Sequence, residues 1–187
     1  AYRGPLQAAA AAKLEADSTE VTVTGSLLGL GLRPTSMLTW EEAGALSVFD
    51  PVSALLYLPS VDLYQRSPFG GQADLNLLGA TFEQALLLVD GFPVTDPQTG
   101  HHLMEFLPPA EAIERVEVLK GPASAAHGPG AFGGVVHVVT RRPTRETAFQ
   151  VGVLRGARGL SRGSVLLSGK GFLGAASLLS DPGYAPD

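Results

Sequence analysis

The sequence predicts an α+β fold of short strands and short helices, with a different texture in its last quarter. Three observations predict it. The 187 residues are 45% apolar, enough for one domain with a packed core. The 23 glycines and 14 prolines punctuate the chain and keep its helices and strands short. Capped helical segments and alternating strands intermingle as far as Pro143, after which regular alternation takes over. Composition also excludes several classes. The net charge of −5 leaves no basic footprint for nucleic acid. The absence of cysteine removes disulfides, thiol catalysis and zinc–thiolate sites. No run of 18 apolar residues can form a transmembrane helix, and no basic-then-apolar leader opens the chain as given.

From the N-terminus, Ala8–Ala16 is helix-prone but has little to bury, so a frayed leader is expected. Thr19–Ser26 alternates, with Val21 and Val23 opposite Thr22 and Thr24; it fits an edge strand or an extended segment kept for a partner. Thr39-Trp40-Glu41-Glu42 is a capping box opening a helix to about Leu46. Asp50-Pro51 opens a second helix, with Val52, Leu55 and Leu56 as its apolar face and Pro59 as its stop. Val61–Gln65 reads as a strand, Ser67–Gln72 as a loop and Ala73–Gly79 as an alternating strand. Ala85–Gly91 is an apolar run closed by Asp-Gly, hence a buried strand and a turn. Pro93–Phe106 is a polar loop. A helical turn from Pro108 leads into a strand over Arg115–Leu119, with Val116 and Val118 opposite Glu117. Gly134–Arg142 is a β-branched strand.

Gly128–Gly133 fits G-x-G-x-x-G, which raises a nucleotide-dependent enzyme as one reading. Such a loop must follow a strand directly and open a helix, because the helix N-terminus holds the pyrophosphate. Here Gly121–Gly128 intervenes, Pro129 removes an N–H, and the residues after Gly134 read as a strand. The glycines therefore serve positive φ and close backbone packing. Asp90 is expected in a turn, Ser124 lacks a nucleophile context, and His137 is expected as a satisfied interior or lumen-facing side chain. Glu111, Glu114 and Glu117 read as a charged helical face running into a strand. No catalytic set, cofactor or metal site is predicted.

After Pro143, Thr147–Arg155, Ser164–Lys170 and Phe172–Ser180 alternate, with Ala157–Gly163 as a turn. Val165 and Leu167 face one way, and Ser164, Ser168 and Lys170 the other. The pattern fits either a soluble hairpin packed on the first part or membrane strands, apolar to lipid and polar to a lumen.

Asp50–Gln65 (DPVSALLYLPSVDLYQ), Leu86–Val94 (LLLVDGFPV) and Ile113–Arg142 (IERVEVLKGPASAAHGPGAFGGVVHVVTRR) together resemble the plug domain of TonB-dependent outer-membrane receptors, over about Val21 to Arg142. The resemblance implies a small mixed-sheet plug domain with short helices, followed by the first antiparallel strands of a transmembrane β-barrel. Residues 1–18 are then a flexible leader, 19–25 a TonB-box-like segment, 26–143 the plug and 144–187 an incomplete start of the barrel. Such a barrel has about 22 strands, so this chain is expected to be a piece of a longer receptor.

The resemblance further implies energy-coupled uptake of a scarce, bulky nutrient of the iron–siderophore or cobalamin class. The implied partners are that metal chelate or cobalamin-like ligand, the remaining barrel, the outer membrane of a Gram-negative-type bacterium, and TonB with its ExbB–ExbD energy complex. The plug would face the periplasm and the barrel lumen. TonB would pair with Glu20, Val21, Thr22, Val23 and Thr24. The ligand would meet two apical loops carrying Arg66, Phe69 and Gln72, and Asp96, Gln98, Thr99, His101 and His102.

The sequence departs from the family pattern at three places. The arginine of the family's "IRG" is Leu78, that of "LRGP" is Lys120, and the tyrosine of "YG" is His127. In the family those arginines fasten plug to barrel carboxylates; Lys120 keeps a point charge for that role and Leu78 keeps none. The rival reading is a stand-alone, plug-like periplasmic ligand-binding module without a barrel.

Overall fold

The computed structural model describes residues 36–46, 48–66, 72–96, 98–101, 104–123, 127–128 and 130–182. The leader 1–18, the segment Glu20–Thr24, Phe69 and His102 lie outside them.

Among the described residues, two sheets and a hairpin organise the fold. The five-stranded sheet combines β1 (Ser36–Thr39), β4 (Ala85–Val89), β5 (Phe92–Pro93), β6 (Ile113–Lys120) and β7 (Gly134–Thr140), in the order β1-β6-β7-β4-β5. All pairs are antiparallel except β4–β7, which is parallel, so the sheet is mixed. β2 (Val61–Gln65) and β3 (Ala73–Leu77) form the hairpin. β8 (Ala148–Arg155), β9 (Ser161–Gly169) and β10 (Phe172–Ser180) form a separate antiparallel meander.

The helices begin where their caps dictate. Thr39 accepts from the Glu42 N–H, and the Glu42 carboxylate accepts from the Thr39 N–H, opening α1 (Trp40–Ala45). The Asp50 carboxylate accepts from the Ser53 N–H and hydroxyl, opening α2 (Pro51–Leu55) with Pro51 in its first turn. Val52 and Leu55 of α2 are buried as expected, but Leu56 is exposed. The helix ends at Leu55, so Leu56 leaves the helical face, and Ala54 and Leu58 are buried instead.

Period-two alternation sorts the sheet residues into two cores. Leu87, Val116, Val118, Val136 and Val138 meet Val52, Leu55, Leu75 and Leu77 from α2 and the hairpin on one face. Leu86, Leu88, Leu119 and Val135 meet Ala123 and Ala131 on the other. β3 does not alternate in exposure as expected: Ala73, Asp74, Leu75 and Leu77 are all buried, because both of its faces are covered.

The glycine motif serves the sheet. Strand β7 begins at Gly134, where a nucleotide loop would need a helix. Gly134 has φ +144°, and a Cβ there would collide with the Leu119 carbonyl and the Leu77 side chain. A Cβ on Gly133 would lie 2.5 Å from that of Ala80, while its N–H donates to the Gln84 carbonyl at 2.7 Å. These two glycines let β7 enter the sheet between β6 and β4.

Several expected boundaries move, and β7 stops at Thr140, short of the expected Arg142. β6 spans Ile113–Lys120, longer than Arg115–Leu119. The turn expected over Ala157–Gly163 is shorter, because β9 already begins at Ser161, paired with Arg155.

Candidate functional site

The two loops singled out in the sequence converge. The Arg66 N–H donates to the Gln72 carbonyl at 3.0 Å, one step beyond the Gln65–Ala73 pair of β2 and β3. Asp74, one step into β3, is the acceptor at which both loops meet. Its carboxylate lies 2.6 Å from His101 Nδ1 and 3.6 Å from the Arg66 guanidinium. The His101 ring also stacks on Phe82, 4.4 Å between centroids at 14°. His101 thus joins β3, the turn Phe82–Gln84 and its own loop.

Asp96 organises the second loop from inside. Its carboxylate accepts from the Gln98 N–H at 2.9 Å and the Thr99 hydroxyl at 2.7 Å, while its N–H donates to the His101 carbonyl. The Thr99 hydroxyl first, and then the Gln98 N–H, hold the Asp96 carboxyl below its ordinary value. Arg66, Asp96, Gln98, Thr99 and His101 therefore belong to one connected group, with Gln72 at its hairpin. Arg66 remains about half exposed and offers its donors to solvent. Sequence reasoning missed Asp74 and Phe82. The signal for Asp74 was a carboxylate in a strand otherwise made of apolar residues and one amide; Phe82 had none. Among the described residues no group of three His, Cys, Asp or Glu is placed to hold a metal ion.

A second polar cluster lies within the sheet. Asp90 and Gly91, at φ 48° and 86°, make the β4–β5 turn. The Asp90 carboxylate accepts from the Thr140 N–H at 2.8 Å and hydroxyl at 2.7 Å, fastening the turn to the end of β7. The Gly91 N–H donates to His137 Nε2 at 3.0 Å, so His137 carries its proton on Nδ1, facing Glu117 Oε2 at 3.5 Å. Arg115 Nε donates to the other Glu117 oxygen at 2.7 Å. His137 first holds the Glu117 carboxyl below its ordinary value, with Arg115 adding to it against the cost of burial. Glu117 is therefore an interior charge at 3% exposure, not the solvated face expected of it.

Of the other two residues expected on that face, Glu111 sits in the turn Ala110–Ala112 and meets Arg162 of β9, and Glu114 pairs with Arg115. Lys120 ends β6 opposite Gly134. Leu78 stands exposed in a left-handed turn at φ 56°.

The three-stranded sheet has two unlike faces. Phe149, Val151 and Val153 of β8 lie beside Leu167, Val165 and Gly163 of β9, with Gly174, Ala176 and Leu178 of β10 beyond. The large side chains among them are exposed, Val153 and Leu178 each at 78%. The opposite face carries Arg162, Ser164, Leu166 and Ser168, half-buried or buried toward the rest of the molecule.

Known proteins resemble much of this chain. The family model described as TonB-dependent Receptor Plug Domain matches residues 32–135. The Vitamin B12 transporter BtuB of Vibrio vulnificus is 33% identical over 116 residues, 62% of this chain and 19% of that protein. A probable TonB-dependent siderophore receptor, PirA of Acinetobacter baumannii, is 34% identical over 125 residues, 60% of this chain and 17% of that protein. The crystal structure of the siderophore receptor PirA from Pseudomonas aeruginosa superposes with a TM-score of 0.52 at 29% identity, covering 78% of this chain and 28% of that one. The chain thus spans about a fifth of the length of the curated relatives it matches. With more than half of its residues inside the family match, which takes in β1 to β6 and the first two residues of β7, the chain belongs to the TonB-dependent receptor plug domains.

Proposed function

We propose that this chain is the front of an outer-membrane receptor, with residues 26–143 as the plug and 144–187 as the first strands of the surrounding barrel. The observation that carries this reading is the exposed apolar face of β8–β10. A sheet in water keeps such a surface covered, whereas a barrel strand turns it to lipid and its polar side to the lumen. The same face counts against the stand-alone periplasmic module.

In this reading the receptor imports a scarce, bulky nutrient of the iron–siderophore or cobalamin class, the ligands named for its relatives. The ligand meets Arg66, Phe69, Gln72, Asp96, Gln98, Thr99, His101 and His102 on the apical loops, with Asp74 and Phe82 fixing His101 between them. TonB, driven by the ExbB–ExbD complex, adds a strand along Glu20–Thr24 and draws on the plug. Lys120 contributes to plug anchoring as a single charge. The protein lies in the outer membrane of a Gram-negative-type bacterium, its plug facing the periplasm and the barrel lumen.

An antibody against Asp50–Val61, used on fractionated membranes with and without boiling, tests this. A heat-modifiable outer-membrane band several times the 19.4 kDa of this chain is expected. A soluble band near 19.4 kDa would overturn the receptor reading. Deletion of Thr19–Gly25 is expected to abolish uptake while sparing ligand binding; normal uptake would remove the TonB assignment.

A further inference from the structure

Burial does little to hold β5. Both of its residues are exposed, Phe92 at 75%, and Pro93 has no N–H to give to the ladder. What fastens it is its two-residue pairing with β4, the Val94 N–H on the Leu87 carbonyl at 3.0 Å, and the Asp90–Gly91 turn. The loop carrying Asp96, Gln98, Thr99 and His101 follows directly. The turn in turn leans on His137, which is 1% exposed and accepts from the Gly91 N–H at Nε2, at 3.0 Å. On the far side of that ring, Nδ1 lies 3.5 Å from Glu117 Oε2, too far for a good hydrogen bond. Among the described residues neither of these two buried atoms has a hydrogen-bond partner. The imidazole therefore stands between one bond that is made and one that is not.

Only a neutral imidazole can accept from Gly91. An imidazolium carries a hydrogen on each nitrogen. Its Nε2–H would face the Gly91 N–H, donor against donor, while its Nδ1–H would meet a carboxylate with an unused oxygen. Histidine makes this change of charge between about pH 5 and 8. The surrounding groups fit the exchange. Glu117 of β6 has its carboxyl below the ordinary value, so it is ionised throughout that range. Arg115, also on β6, binds the other Glu117 oxygen at 2.7 Å and reaches Glu114 beyond it. Asp90 of the turn accepts from the Thr140 N–H and hydroxyl. β4 sets Leu88 opposite His137 and brings no titratable group.

We propose that His137 is a proton-controlled positioning residue for β5, and through β5 for the start of the loop that carries Asp96. As a neutral ring it accepts from Gly91 and keeps β5 on β4. On taking up a proton at Nε2 it releases Gly91 and pairs with Glu117, and β5 loosens while the tie between β6 and β7 tightens. The proton comes from water, which reaches the ring by local opening of the exposed Asp90–Gly91 turn. The latch stands on this geometry; only its bearing on ligand capture rests on the reading of the Asp96–His101 loop as a ligand loop.

Amide hydrogen exchange of the full-length protein, followed by mass spectrometry between about pH 8 and 5, tests it. After correction for intrinsic exchange, protection of the Gly91, Phe92 and Val94 amides is expected to fall roughly fivefold across that range, the loss of one hydrogen bond. The amides of the β6–β7 ladder are expected to keep theirs, which a general loosening would not allow. His137→Gln keeps an acceptor for Gly91 and a donor for Glu117 but takes up no proton, so its protection is expected to stay level. Glu117→Gln removes the carboxylate that receives the imidazolium, and the fall moves to lower pH. If His137→Gln does not accumulate, Glu117→Gln decides. Level protection in the parent protein overturns the latch, as does an equal fall in His137→Gln or a Glu117→Gln profile that overlays the parent's. No ligand enters the measurement, so the exchange rates judge His137 whether or not the ligand-loop reading survives.

Discussion

At the residue scale, ionised carboxylates are held by specific partners, and pH reads them out. Glu117 is surrounded by Arg115 on its own strand and His137 from β7, and its carboxyl lies below the ordinary value of 4.5. A carboxyl lowered in the folded state contributes stability that is complete above the unfolded value and is lost as pH falls through the lower folded one. Glu111 follows the same sign: burial raises its carboxyl, but the forked Arg162 guanidinium, together with smaller contributions around it, brings it below its ordinary value. Thermal stability of the protein is therefore expected to fall steeply below about pH 4.5. Glu117→Gln should flatten that acid limb, and an unchanged limb would count against the interior pair. Gly134→Ala is expected to cost about 2 kcal/mol or more, since it adds a Cβ at φ +144° into the Leu119 carbonyl. Equilibrium unfolding measures it. The two acidic roles differ in how legible they were. Asp90 sits in a local Asp-Gly turn and could be read directly, whereas Glu117 looked like surface until β7 placed His137 opposite it.

At the scale of elements, local chemistry set the starts and tertiary pairing set the partners. Both helix caps were legible because each is complete within four residues. Asp50→Ala is expected to destabilise by about 1 kcal/mol, read as a shift in the denaturant midpoint at constant slope. β1 was not legible: four residues after a proline-containing stretch become a strand only because β6 offers an edge. The same holds for β5, two residues with a proline, which pairs only with the end of β4. The parallel join of β4 to β7 brings together segments separated by the whole of β6, and no local pattern encodes it. Leu87 sits at that join, fully buried. Leu87→Ala is expected to cost about 2–5 kcal/mol, and a change under about 1 kcal/mol would argue against the core as described.

On the scale of the whole molecule, the question is what covers the outer face of β8–β10. If lipid does, a charge at Val151 should hinder folding into the membrane by about 2–4 kcal/mol near the bilayer midplane. A charge at the neighbouring, opposite-facing Gln150 should be tolerated. The folded, heat-modifiable fraction of Val151→Arg against Gln150→Arg measures the difference, and equal yields would turn the lipid assignment down. The sequence by itself determined the α+β class, the helix caps, the Asp-Gly turn, the glycine-guided entry of β7 and the alternation of the last strands. Each of these is written in residues a few positions apart, where backbone sterics and side-chain periodicity act directly. Only the tertiary structure decided that His101 is held by Asp74 and Phe82, that Glu117 is an interior charge, and that Arg162 reaches Glu111 across 51 positions. Those contacts depend on which strands lie side by side, and strand adjacency arises from burying two apolar faces at once, a property of the assembled sheet and of no single segment.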